Sequence, residues 1–197
     1  MANTQAQFGF QHIGFLSGGA PDYQLNSQYL IQSSFSTLIY QGTPMVKSAT
    51  SIYIVPATGT GNLTTIVGIF QGVDYTPAGG APTFSNVWPG TASADSKAHL
   101  IDAPNALFKV ATLLTAVGPN AIGNNIGFST GAGGTTVGAG YATYTVDQST
   151  LTTGPSAPFQ VVSMYQSIGN GSDTTTNYNW IVVTFNNQRF KQLTGVQ

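Results

Sequence analysis

The chain has 197 residues, of which only 6% are charged, and it contains neither Glu nor Cys. Soluble domains carry about 25% charged residues, so in this chain Thr, Ser, Asn and Gln must hydrate most of the surface. Because the surface carries little charge, it repels other proteins only weakly. The net charge of −1 and the scattered basic residues exclude the basic surface that follows a nucleic-acid backbone, and the lack of Cys excludes disulfides and thiolate metal sites.

The N-terminal segment differs from the rest of the chain, because its aromatic residues stand beside Gly without a sustained strand or helix period. We predict that residues 1–18 form an extended N-terminal arm that ends at a Gly-Pro hinge. Its apolar contacts with a partner would be Phe8, Phe10, Ile13 and Phe15. The same residues also fit a strand that packs into the protein's own sheet, and both alternatives stay open. The charged and apolar regions of a signal peptide are missing, so none is expected.

Strand periodicity dominates the remaining chain. Residues 140–147 alternate as in an exposed strand, whereas residues 178–185 are apolar on both faces, as in a strand buried on both sides. Further strands are predicted at residues 35–40, 45–55, 66–75, 84–88, 97–101 and 159–165. Clusters of Gly, Pro and Asn separate these strands. Together they predict an all-β fold, either a barrel or a sandwich.

Residues 105–117 fit two structures. A helix is predicted by the helical spacing of the apolar residues, with Asn105 as the N-cap and with Gly118 followed by Pro119 as the stop. Residues 107–112 also alternate as in a strand. The sequence leaves both alternatives open.

The chain also divides into segments. Beyond the arm at residues 1–18, we predict an N-terminal β module at residues 19–104 and a C-terminal β module at residues 105–197. The division between the two modules is placed near residues 103–105.

The residues that could carry chemistry form no recognisable motif. The six Asp residues are dispersed, mostly near turns, and no pair is placed as a glycosidase requires. His12 and His99 lack the neighbouring ligands of a metal site. The Gly-rich runs at 59–61 and 131–136 lack the Lys and the helix of a phosphate loop. We therefore predict no enzyme activity, no cofactor and no metal, and we expect no membrane span because no run of about 18 apolar residues exists.

Two central blocks carry a resemblance to a known family. Residues 67–76 read Val-Gly-Ile-Phe-Gln-Gly-Val-Asp-Tyr-Thr, and residues 84–91 read Phe-Ser-Asn-Val-Trp-Pro-Gly-Thr. These blocks, with the Phe-Gly-Phe of residues 8–10, resemble the head decoration (cement or capsid-stabilising) proteins of tailed bacteriophages. Weaker similarity extends along the chain, at residues 39–47, 95–98, 102–105, 144–150 and 183–188.

The resemblance implies a structural virion protein without catalysis or cofactor. Such a protein binds the outer surface of the phage capsid and bridges neighbouring subunits of the major capsid protein. It implies a homo-oligomer on the shell, first a trimer and second a dimer, made in the host cytoplasm and located on the virion surface. Trp88 and Pro89 would shape a loop next to an interface, although Trp88 also fits a core position. If the arm binds the capsid, a chain without residues 1–18 should fold but not bind.

Two other functions fit the same composition. A tail or fibre component would also be all-β, neutral and oligomeric, but the long repeats typical of fibres are missing here. A carbohydrate-binding β module would use the Trp and Tyr residues as a binding face.

Overall fold

A computed structural model of the chain describes residues 7–19, 26–58, 65–113, 115–130, 141–166 and 171–191. Antiparallel sheets make up the fold, and the described residues contain no α-helix, so the predicted all-β class is confirmed. A 3₁₀ turn at Pro119–Ala121 is the one short helical element among them. The strands are β1 (Gln11–Phe15), β2 (Asn26–Ile31), β3 (Ile39–Tyr40), β4 (Pro44–Lys47), β5 (Ile54–Pro56), β6 (Gly68–Tyr75), β7 (Thr83–Ser85), β8 (Val87–Trp88), β9 (Ser96–Ile101), β10 (Ala106–Ala111), β11 (Asn125–Ser129), β12 (Thr145–Thr152), β13 (Phe159–Met164) and β14 (Trp180–Phe185).

Most predicted strands lie near their observed positions. The predictions at 66–75, 97–101, 159–165 and 178–185 correspond to β6, β9, β13 and β14. Residues 45–55, predicted as one strand, form the hairpin of β4 and β5 because the chain turns at residues 49–52. Residues 84–88 contribute to two strands, β7, which pairs with β6, and β8, which pairs with β3.

Other segments correct the sequence-based expectations. Residues 105–117 begin with β10, so the strand alternative is confirmed there. The strand predicted at 140–147 begins only at Thr145, since the backbone of Tyr141 and Ala142 pairs instead with Gln41. Two strands were not predicted, β2 and β11, whereas β1 was one of the two alternatives for the N-terminal segment.

The strands form two sheets and a small ribbon. The N-terminal sheet has the order β2-β9-β6-β4-β5, with β7 added to β6, and its edge strands β2 and β5 lie in contact. The C-terminal sheet has the order β1-β10-β14-β13-β11-β12 and curls until Thr112 bridges Val146, without closing into a barrel. The ribbon pairs β3 with β8. Residues 102–105 connect one sheet to the other.

Five phenylalanine rings fill the core of the C-terminal sheet. The Phe10 ring stacks on Phe159 with centroids 4.4 Å apart, and Phe159 stacks on Phe185 at 5.8 Å. Phe108 meets Phe185 edge to face at 5.0 Å, and Phe128 meets Phe159 at 6.4 Å. Each such pair contributes about 0.5–1.5 kcal/mol beyond area burial. The rings therefore unite four strands with the residue that precedes β1.

Part of the N-terminal sheet is buried on both faces: successive strand residues point to opposite sides, and around Ile69 and Ile101 both sets are buried. Ile69 and Ile101 join the core of the C-terminal sheet. Phe70 and Leu100, their neighbours in sequence, face a second core that is completed by Trp88. The N-terminal sheet is thus the middle layer between the C-terminal sheet and the β3–β8 ribbon.

The segment after β14 ties the two sheets together. Gln188 is fully buried and forms a parallel bridge with Ile66, just before β6. Its Nε2 donates hydrogen bonds to the carbonyl oxygens of Val67 at 3.1 Å and Asp102 at 3.0 Å. Its Oε1 accepts a bond of 2.9 Å from the backbone N–H of Phe190. One side chain therefore connects the end of the C-terminal sheet to the N-terminal sheet.

The N-terminal segment is a strand of the protein's own sheet, and the prediction of a free arm is wrong for the described residues 7–18. Residues 11–15 pair with β10 as β1, and Phe10 is only 1% exposed. Burial of the Phe10 ring among four other rings is favourable because it removes the apolar surface of the ring from water. Deletion of residues 1–18 would remove this ring and an entire strand, so we now expect the truncated chain to be destabilised. Residues 1–6 of the predicted arm lie outside the described residues.

Two glycines permit the crossing that brings Phe10 into the core. Gly9 and Gly42 have φ values of +68° and +87°, and a Cβ on Gly9 would lie 2.8 Å from the carbonyl oxygen of Gly42. The backbone N–H of Phe10 donates to that oxygen at 3.0 Å, and the N–H of Gly42 donates to the carbonyl of Phe70 at 2.8 Å. Only glycine combines this backbone conformation with so close an approach.

We expect Gly42→Ala to lower the free energy of unfolding by about 2–4 kcal/mol, because it adds close contact to the strain of a positive φ. Gly79→Ala is the matched control, since Gly79 has a φ of +73° with open space around its Cβ position. It should cost only about 1 kcal/mol. Urea unfolding measures both values, and equal losses would contradict the proposed crossing.

Candidate interaction surface

Phe8, the first predicted arm anchor, lies in an aromatic cage around Lys109. Its ring meets Trp180 edge to face at 5.1 Å. The Nζ of Lys109 lies 5.1 Å from the centroids of Phe8 and Tyr165 and 4.8 Å from that of Trp180. Burial lowers the pKa of Lys109 because it removes water from the ammonium. The ring faces offset part of that cost by attracting the cation.

The remaining arm anchors are also engaged with the fold. Ile13 is half-buried at a β-bulge of β1, where the register shifts between His12 and Gly14. Phe15 is half-buried, packs against the C-terminal core, and meets the His12 ring at 5.0 Å. The structure therefore brings Phe8, Phe10 and Phe15 into intramolecular contacts and does not present them as a row of free anchors.

Trp88 and Pro89, the predicted interface loop, differ in their environments. Trp88 is fully buried and its Nε1 donates a hydrogen bond of 2.9 Å to the carbonyl of Phe35, so of its two proposed places it occupies the core. Pro89 is exposed. The next residue, Gly90, lies beside Leu38, whose Cδ2 would be 3.9 Å from a Cβ on Gly90. Leu38 is 47% exposed, and we call Leu38 and Pro89 the loop patch.

Other large apolar side chains reach the surface singly. Leu38 was not predicted from the sequence, where it stands beside Ile39 within the predicted strand at residues 35–40. The large apolar residues exposed in the described part of the chain are Leu16, Leu38, Ile52, Phe84, Ile122 and Phe190. Scattered exposure of this kind is common. Among these exposed apolar residues, we single out the loop patch because it lies at the predicted interface loop.

A polar cleft opens at the seam between the two sheets. We call it the seam cleft; its volume is about 220 Å³, and its lining is Phe10, Gln11, His12, Gln41, Gly42, Gln71 and Tyr141. The Nε2 of Gln41 donates a hydrogen bond of 2.9 Å to the Oε1 of Gln71. His12 donates through Nε2 to the carbonyl of Gly14 at 2.9 Å, which fixes its ring. Sequence reasoning missed this cleft, although an aromatic-Gln-Gly tripeptide occurs at both 40–42 and 70–72.

Charged groups are few and separate. His99 Nε2 lies 2.7 Å from Asp74 Oδ2, on the exposed side of the N-terminal sheet. Asp95 accepts hydrogen bonds from Tyr53 and from the backbone of Ser33, which lower the pKa of its carboxyl group. No group of three or more His and Asp side chains converges as a metal site within the described ranges. No helix in that part of the structure could cross a membrane.

Comparison of the chain with protein-family models, with curated proteins and with solved structures finds no match.

Replacing Trp88 and Pro89 one at a time should show that the first is a core residue and the second a surface residue. We expect Trp88→Ala to lower the free energy of unfolding by about 3–5 kcal/mol, because it leaves a large cavity and removes a hydrogen bond. Pro89→Ala should change it by less than about 0.5 kcal/mol, since Pro89 is exposed. Urea unfolding followed by the fluorescence of Trp180 measures both. A Trp88→Ala protein as stable as the Pro89→Ala protein would show that Trp88 is no core residue.

Replacement of Lys109 should test the aromatic cage. Lys109→Met keeps most of the apolar stem and removes the cation, so we expect a loss of about 0.5–2 kcal/mol of unfolding free energy. Lys97→Met is the control on an exposed strand position, with an expected change below about 0.5 kcal/mol. A gain in stability for Lys109→Met would mean that the cost of burying the charge exceeds its attraction to the rings.

Proposed function

We propose that this protein is a structural virion protein of a tailed bacteriophage that binds the outer capsid surface and bridges neighbouring major capsid subunits. The loop after Trp88 is the observation that carries the proposal. There the block most similar to the decoration proteins, residues 67–76 continuing to 84–91, reaches the surface at Pro89, and the next residue, Gly90, lies beside exposed Leu38. The partner is the major capsid protein, and the protein acts as a homo-oligomer on the shell, a trimer before a dimer.

The surface chemistry supports docking among many identical subunits. With 6% charged residues, little electrostatic repulsion opposes close packing against a shell. An exposed Leu beside a Pro offers a small apolar contact, which is modest by itself. Contacts with several capsid subunits at once raise the effective concentration, so modest contacts suffice for occupancy. A protein that binds the assembled shell better than its separated subunits stabilises the shell by mass action.

The two blocks that resemble the decoration proteins also occupy central positions in this fold. Residues 67–76 include β6, the central strand of the N-terminal sheet, and residues 84–91 include β7, β8 and the buried Trp88. These residues organise the middle layer and the ribbon from which the loop patch projects. The proposed role therefore needs a rigid β scaffold and a docking loop, and no active site.

The shell-binding role predicts a change in capsid stability. Capsids of the phage that encodes this protein should rupture at a higher temperature when saturated with it than when stripped of it, because binding favours the intact shell. Heating the two preparations and following release of DNA measures the difference. Equal rupture temperatures at full occupancy would contradict reinforcement, and electron microscopy that found the protein on the tail would identify a tail component instead.

The loop patch can be tested within the same experiment. Leu38→Asp should reduce occupancy on capsids by about tenfold or more, since it places a charge in a desolvated contact. Leu16→Asp is the matched control, because Leu16 is exposed to nearly the same extent, 50% against 47%. Occupancy that fell only with Leu16→Asp would move the docking surface to the end of β1.

A further inference from the structure

We propose that the seam cleft binds one ring of a neutral sugar. This site is separate from the loop patch and does not depend on the capsid-binding role. Its lining, defined above, combines three glutamine side chains, one tyrosine and one histidine. None of these side chains carries a fixed charge, so the chemistry of the cleft suits a neutral ligand rich in hydroxyl groups.

The two paired glutamines leave unused hydrogen-bonding capacity inside the cleft. The bond from Gln41 Nε2 to Gln71 Oε1 fixes both amides. The Oε1 of Gln41 and the Nε2 of Gln71 make no other hydrogen bond with the described residues, and neither does the hydroxyl of Tyr141. An acceptor, a donor and a hydroxyl thus line one small space. A sugar hydroxyl both donates and accepts, so neighbouring hydroxyls can satisfy such a set.

Bulges occur in the two strands that border the cleft. In β6 the register with β9 shifts between Phe70 and Gly72, so Gln71 is the extra residue. In β1 the register with β10 shifts next to His12. Bulges of this kind redirect side chains and are common beside binding sites. Here they turn residues from both sheets toward the same space.

The size and the walls of the cleft favour a single ring. Its volume of about 220 Å³ lies below the roughly 300–1,000 Å³ of pockets for drug-sized molecules. Tyr141 is half-buried and provides a ring on which the apolar C–H face of a sugar can pack. A peptide would need apolar pockets for its side chains as well. Phe10 cannot form such a pocket, because its ring is already packed into the core.

The proposal is tested by titrating the full-length protein with free glucose, galactose, mannose and N-acetylglucosamine. Binding is followed in ¹H–¹⁵N spectra that include the glutamine side-chain amides. We expect at least one sugar to shift the Gln41 and Gln71 amide signals, with a dissociation constant on the order of 1 mM for so small a ligand. N-acetyl-glycyl-serine amide serves as the peptide probe in the same titration.

Substitutions then locate the site. Gln71→Ala and Tyr141→Ala should each weaken binding by about tenfold, the effect of losing ligand hydrogen bonds or the stacking ring. Gln32→Ala is the matched control at an exposed glutamine after β2 and should leave binding unchanged. Circular dichroism checks that each variant folds. If a variant fails to fold, the amide shifts of the unmodified protein still locate the binding site. The proposal is overturned if no sugar shifts the cleft amides, if Gln71→Ala and Tyr141→Ala bind as well as the control, or if the peptide probe shifts those amides more than every sugar.

Discussion

The close crossing of Gly9 and Gly42 determines how the N-terminal segment packs between the two sheets. At this point the N-terminal segment passes within van der Waals distance of the turn before β4. The backbone bonds from Phe10 to Gly42 and from Gly42 to Phe70 run from one sheet to the other without a side chain between them. Phe10 can enter the ring cluster only because the chain crosses there. The core of one sheet and the position of the other are therefore set by the same few backbone contacts.

Buried amides take over connections that charged residues make in other proteins. Asn179 is fully buried, and its Oδ1 accepts hydrogen bonds from the Thr112 hydroxyl at 2.9 Å and the Val117 N–H at 3.0 Å. Its Nδ2 donates to the Val117 carbonyl at 2.8 Å, so both ends of the amide are used. Gln188 links the sheets in the same manner. A buried neutral amide costs less desolvation than a buried charge, which explains how a chain so poor in charge still fixes its internal geometry.

The sequence predicted the fold class and the central strands, because alternation and turn residues are local signals. It failed where tertiary contacts decide the structure. The polar start of β2, Asn-Ser-Gln, hides a strand that is held by pairing with β9. The aromatic-Gly pattern of residues 8–15 left an extended arm and a strand both open, whereas in the structure the glycines serve a close crossing and a bulge. Trp88 fitted both a core and a loop, and nothing local shows that its ribbon packs against the N-terminal sheet. The seam cleft depends on residues from four distant segments, so only its aromatic-Gln-Gly tripeptides were visible in advance.

Those tripeptides connect the stability of the fold to its surface chemistry. Each tripeptide, at residues 40–42 and 70–72, places its aromatic residue or the adjacent backbone at the seam. Its glycine allows the close approach of another segment, and the glutamine between the two lines the cleft. Gly42 must lack a side chain for the crossing, and Gly72 must lack one because a Cβ there would lie 2.5 Å from the Phe84 ring. The glutamines therefore stand next to the most restricted backbone positions of the seam. Their amides are held by rigid neighbours before any ligand arrives, and such preorganisation reduces the entropic cost of binding. The contacts that join the two sheets thus also build the polar cleft between them.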